Sequence, residues 1–182
     1  MKPTPDNDYD LTGMIVRPLY LGTLINVVIP AVLLFGCYYI SNRLYPENYI
    51  PGFANSLFYI FSFLALAQAA LALRWRNKRL EAPMVRTEQS FEHDMATELL
   101  RRLKPVFFLI AAISIWGYIY FFLTGRFVET VMFVVFSFIV FQFIRPRLGA
   151  VRKLIAYQQE LVKRGEFMGG GLAEIRRQAE EE

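Results

Sequence analysis

Apolar residues fall along this chain in four long runs, at about residues 19–40, 53–73, 106–124 and 127–144, separated by stretches rich in charge or in turn-forming residues. The middle two-thirds of each run contains no Asp, Glu, Lys or Arg. A bilayer's hydrocarbon core, roughly 30 Å thick, is crossed by about 20 helical residues rising about 1.5 Å each. Each run therefore predicts a transmembrane helix. Between them, Thr87 to Lys104 carries a different pattern: Phe91, Met95, Leu99 and Leu103 recur every four residues, with Leu100 beside them, which marks one face of an amphipathic helix. Thr87 or Ser90 can cap its start, acids fill its first turns, and Arg101, Arg102 and Lys104 suit its last turn. After the fourth run, Val151, Leu154, Ile155, Leu161 and Val162 share a face of a second such helix, with Gly165 placed to end it.

The fold class predicted is all-α: a polytopic membrane protein with four transmembrane helices in two hairpins, together with cytoplasmic amphipathic helices. Residues 1–18 form an N-terminal segment, 19–73 the first hairpin, 74–105 a basic connector, 106–144 the second hairpin, and 145–182 an amphipathic helix with a flexible acidic tail. The first hairpin turns through SNRLYPENYIPG, where Pro46, Pro51 and Gly52 oppose a continuing helix. The second turns on Thr124, Gly125 and Arg126 alone, so its helices must be antiparallel neighbours. Gly169, Gly170 and Gly171 precede LAEIRRQAEEE, a solvated tail or a short binding helix. The opening MKPTPDNDYD is polar and acidic, unlike a cleavable signal or a transit peptide, which leaves the first span as the insertion signal.

Charge adds an orientation. Residues 74–104 and 145–182 carry eight Lys and Arg each, whereas the other two connections carry only Arg43 and Arg126. Basic residues are retained on the cytoplasmic side during insertion, so both termini and the central connector are expected there, in the plasma (inner) membrane. Tyr38, Tyr39, Tyr45, Tyr49, Tyr118 and Tyr120 gather toward the opposite interface, where amphipathic rings prefer to lie. The net charge of +4 is thus a topology signal, and no nucleic-acid partner is expected. With 55% apolar residues the chain exceeds the usual composition of a soluble domain.

Within the spans the small and polar residues carry what chemistry there is. Gly22, Asn26, Leu33, Gly36 and Cys37 fall in one stripe at about 100° per residue, with Pro30 close by. Pro30 removes the hydrogen bond to the Asn26 carbonyl and should bend the helix there. Asn26 then either bonds a neighbouring helix, a contact of about 0.6–2 kcal/mol, or belongs to a ligand or ion site. Ala65 and Ala69 in the second span, and Ala111, Ser114 and Gly117 in the third, are further packing positions. The fourth span is crowded with phenylalanine, suited to lipid or a larger partner, while Thr130 and Ser137 are expected to bond back to their own helix. Glu129 stands only three positions into that span, within reach of Arg126, so it does not supply the central acid of a proton-coupled exporter.

No catalytic constellation is present: there is no G-x-S-x-G, no H-E-x-x-H and no phosphate loop. His93, between Glu92 and Asp94, is expected at the surface, and Cys37 lies within a span with no base beside it. One cysteine and one histidine exclude a multi-cysteine metal site and a bis-histidine haem, so no cofactor or metal is expected. The partners expected are the bilayer and either a protein or further copies of the chain. The apolar face of Phe91, Met95, Leu99 and Leu103, with Leu154 and Ile155 on the second helix, either packs within the chain, lies along headgroups, or docks a partner subunit. Function then divides between a non-catalytic accessory or scaffold subunit and an oligomeric channel or small transporter, with a hairpin membrane-shaping protein as a further reading.

Overall fold

A computed structural model describes residues 11–44 and 52–168. Of these, 88% are helical and none is in a strand. Helix α1 (Leu11–Thr23) passes through a π-turn (Leu24–Val28) into α2 (Ile29–Leu44). Then come α3 (Ala54–Glu81), α4 (Phe91–Thr124), α5 (Phe127–Ile144) and α6 (Leu148–Lys163). Four helical stretches are long and apolar enough to cross a membrane: Leu11–Ser41, Ala54–Glu81, Glu88–Thr124 and Phe127–Ile144. The prolines of the first turn (Pro46, Pro51), the glycine break at 169–171, the acidic tail and residues 1–10 lie outside the described residues.

Three boundaries differ from the pattern-based ones; α3 runs on to Glu81, past the apolar run that ends near residue 73 and into the expected connector. The first helix begins at Leu11, well before the apolar run, and continues through Pro18. The amphipathic stretch and the third apolar run are one helix, α4, which continues through Pro105. A proline inside a helix removes one ladder bond and tends to kink it, but tertiary packing on either side can hold the helix through.

The described residues form two compact units, residues 20–44, 52–76 and 104–145 and, separately, residues 11–19, 77–103 and 146–168. The first, the span unit, is organised around the C-terminal part of α4. Gln68 Nε2 of α3 donates to the Leu109 carbonyl (2.6 Å), and Ser137 Oγ of α5 to the Ile110 carbonyl (3.0 Å). Thr130 Oγ1 reaches the Gly117 carbonyl (3.1 Å), and in the other direction the Tyr118 hydroxyl of α4 donates to the Pro30 carbonyl (2.7 Å). Every other span is thereby bonded to α4. Bonds of this kind matter in a bilayer because lipid tails give helices no hydrophobic reason to associate, leaving close packing and polar contacts to hold them.

Close packing accompanies these bonds. On α5 the buried positions Thr130, Phe133, Ser137, Val140, Phe141 and Ile144 follow a three–four spacing, the seam of a helix pair. Phe133 and Phe141 therefore face inward while Phe138 and Phe143 face outward, so the phenylalanine-rich span is not uniformly a lipid surface. Inward rings stack edge to face, Phe58 on Phe133 and Phe107 on Phe141, each with centroids 5.7 Å apart. The α4–α5 turn closes on Gly125, whose positive φ of 71° ends α4 as the N–H of Gly125 bonds the Phe121 carbonyl at 2.7 Å.

The second, the connector unit, has its own core of Met14, Met84, Val85, Met95, Leu99, Leu103, Val151, Ile155 and Leu161, all buried. Proline at position 83 helps to end α3 at Glu81, leaving carbonyls that need donors. Arg102 supplies them: its guanidinium bonds the carbonyls of Arg79, Ala82 and Pro83. From α6, Gln158 Oε1 accepts the Met84 N–H (2.9 Å), Gln158 Nε2 donates to the Ala82 carbonyl (3.2 Å), and the Tyr157 hydroxyl to that of Glu81 (3.2 Å). The stretch 79–85 is thus fastened by both α4 and α6. Helix α6 ends at Gly165 (φ 75°), with the Gly165 N–H on the Val162 carbonyl and the Glu166 N–H on the Leu161 carbonyl, a Schellman arrangement.

Candidate functional site

The polar groups of the span unit converge on the seam between the first helix and α4. Pro30 has no N–H, and the helix answers with a π-turn just before it, in which the Ile29 N–H bonds the Leu24 carbonyl five residues back. Asn26 lies inside that turn, 1% exposed, and its Nδ2 donates to the Gly22 carbonyl of its own helix (3.0 Å). The expectation that this amide reaches a neighbouring helix is therefore corrected: its donor is used locally because Gly22 lies one turn away. Asn26 Oδ1 has no hydrogen-bond partner in the chain, and neither has Ser114 Oγ, although both atoms are buried.

The other expected packing positions separate. A Cβ on Gly22 would stand 2.6 Å from the Phe141 ring and 3.1 Å from that of Phe107, and one on Gly117 would stand 2.7 Å from the Phe133 Cβ. Both glycines mark close helix approach. Gly36 does not, since nothing lies within 4 Å of where its Cβ would be, and Leu33 on the same stripe is exposed. The stripe is broken because the π-turn shifts every later residue around the helix axis. Pro30 and Cys37 are buried, as are Ala65 and Ala69 on α3. Ser137 bonds across to α4 instead of its own helix, and Thr130 does both, to Gly117 and to Arg126 (3.0 Å).

The pairing of Gln68 with Trp116 does not follow from the apolar pattern of the spans. Gln68 Oε1 accepts from Trp116 Nε1 at 2.8 Å, so the amide uses both ends between α3 and α4. An amide amid alanines, opposite a span whose lone indole also needs an acceptor, is the signal that would have paired them. Gln158 likewise occupies a core position of α6 between Ile155 and Leu161.

At the α4–α5 turn, Glu129 pairs with Arg126 at 3.1 Å, and Arg126 also bonds Asn55 Oδ1 at 2.9 Å. The acid is neutralised at the helix start. The buried polar residues of the span unit are Asn26, Ser114, Thr124, Thr130 and Ser137, none of them ionisable among the described residues.

In the connector unit the expected docking face is not open. Phe91, Met95, Leu99 and Leu103 are buried, Ile155 is buried and Leu154 half-buried, so the chain covers this face itself. Beside it Glu98, buried, pairs with Arg101 (2.8 Å) and Arg102 (3.4 Å). The cap of α4 also differs in detail: Asp94 Oδ2 accepts the Arg86 N–H (2.9 Å) and the Ser90 hydroxyl (2.7 Å), and Ser90 bonds Thr87. His93 is exposed and lines, with Arg17, Gln89 and Glu92, a polar groove of about 410 Å³. No cluster of three metal-ligating side chains occurs among the described residues. Comparison with known proteins finds no matching family, no matching curated relative and no matching solved structure.

Proposed function

We propose that this chain is a non-catalytic integral membrane subunit that anchors or regulates a larger complex through its cytoplasmic helices. The observation that carries this reading is the chemistry of the span interior. Its buried polar side chains are neutral, and Thr130 and Ser137 are engaged in bonds between helices. A transport path needs ionisable or multiply liganding groups at mid-membrane. Here Thr130 and Ser137 hold helices together.

Under the positive-inside rule, the basic connector and C-terminal tail support a cytoplasmic position for both of these segments and for the N-terminus. With the Leu99 and Leu103 face covered by the chain, a partner meets the outward surfaces, whose exposed cations include Arg152 and Lys153 on α6. Purification of the full chain in mild detergent, with mass spectrometry of what accompanies it, tests the reading. A stoichiometric larger protein is expected, and its recovery should fall in Arg152→Glu, Lys153→Glu while membrane insertion persists. A homo-oligomer alone, conducting ions or solute in proteoliposomes, would replace this reading with that of a channel or transporter.

A further inference from the structure

Asn26 Oδ1 and Ser114 Oγ are buried polar atoms without a partner in the chain, on residues each 1% exposed. Two contacts bracket them. Toward the start of the first span, Gly22 lies against Phe107; further along, the Tyr118 hydroxyl bonds the Pro30 carbonyl at 2.7 Å. The two helices therefore run in the same direction along this seam. Asn26 stands midway between Gly22 and Pro30. Ser114 stands between Phe107 and Tyr118, and at about 100° per residue it lies within about 40° of both around the α4 axis. Helical spacing thus puts both residues between the same two contacts along this seam.

Local partners are already taken. The Ile110 carbonyl, one turn before Ser114 and its usual acceptor, receives Ser137 Oγ at 3.0 Å. The Asn26 Nδ2 donor is committed to Gly22, which leaves Oδ1 as an acceptor with nothing to accept. Hydrocarbon around the spans offers neither a donor nor an acceptor. An amide oxygen and a hydroxyl placed along one seam, neither bonded within the chain, match a small molecule that both donates and accepts. A hard cation needs about six oxygen ligands, and only two side-chain oxygens converge here.

We propose that this seam holds one internal water molecule, donating to Asn26 Oδ1 and hydrogen-bonded to Ser114 Oγ. Buried waters typically make about two to four bonds to polar groups that otherwise lack them. The water fastens the π-turn of the first helix to α4, between the Gly22 approach and the Tyr118 bond. It also accounts for a polar pair kept inside a packed, neutral span interior.

The sign of one substitution tests this. Ser114→Ala in the full chain, purified in mild detergent, should lower the thermal unfolding midpoint by about 2–4 °C, because the water loses a partner. If the hydroxyl is a true orphan, its removal leaves the midpoint unchanged or raises it, and the proposal fails. A structure of the full chain with a bound antibody fragment, at a resolution that shows ordered water, should contain a separate density peak within hydrogen-bond distance of both oxygens. That peak should be lost in Asn26→Leu while the Tyr118–Pro30 bond remains. Direct contact between the Asn26 and Ser114 side chains without a peak overturns the proposal.

Discussion

Gly117 sits at a close approach of α4 and α5, its missing Cβ taking a space 2.7 Å from the Phe133 Cβ and 3.2 Å from the Thr130 carbonyl. Neither neighbour is the movable end of a side chain, so the helices must separate to admit a methyl group. Gly117→Ala should cost about 1–3 kcal/mol, measured by unfolding of the purified chain in detergent. Gly36→Ala should cost nothing measurable in the same assay, since its site is open. An equal loss at both positions would show that helix propensity or detergent, not packing, governs the response. The two glycines look alike in sequence because each lies in a small-residue stripe at helical spacing. What separates them is the π-turn at Leu24–Val28, which adds a residue to one turn and rotates Gly36 away from the seam that holds Gly22. A pattern read at a constant angle per residue has no means of registering that shift.

At the level of elements, the end of α3 depends on one side chain from α4. Arg102 bonds three carbonyls from Arg79 to Pro83 and pairs with the buried Glu98, whereas Arg101 pairs with the same carboxylate from a side chain 66% exposed. Arg102→Met should therefore cost about 2–4 kcal/mol through unsatisfied carbonyls and a weakened buried pair, and Arg101→Met under about 1 kcal/mol. Proteolysis within residues 79–85 should accelerate in the first variant only. If both variants behave alike, the fork is not what closes α3. The helices themselves were legible from periodicity, as were Gly125 and Gly165 as helix ends, because positive φ at a helix terminus strongly favours glycine. The continuity of α4 through Pro105 was not legible. A change from amphipathic to uniformly apolar pattern beside a proline reads as a boundary, and only the bonds made on either side of it decide otherwise.

For the whole molecule, the four apolar helices carry one consequence for topology. With Cys37→Ser as background, Gly52→Cys and Gln89→Cys, both exposed positions, should react with an impermeant thiol reagent from opposite sides of intact membranes. Reaction of both from one side would contradict the four-crossing arrangement. The same labelling separates two accounts of the α4 apolar face. Leu99 and Leu103 are 1% and 2% exposed, at the centre of a core that includes Met84, Met95 and Ile155. Leu99→Ser with Leu103→Ser should cost about 2–5 kcal/mol at each site, because serine leaves a cavity and brings a hydroxyl into apolar surroundings. Unfolding in detergent should then begin in residues 77–103 and 146–168, seen as early proteolysis there, while labelling at Gly52→Cys and Gln89→Cys keeps its sidedness because the spans and their basic flanks are unchanged. A variant of unaltered stability that had lost only a bound partner would mean that this face is covered from outside. The burial of both leucines within a single chain, together with the bonds that Gln158 and Arg102 make to the stretch beside them, argues for an internal core.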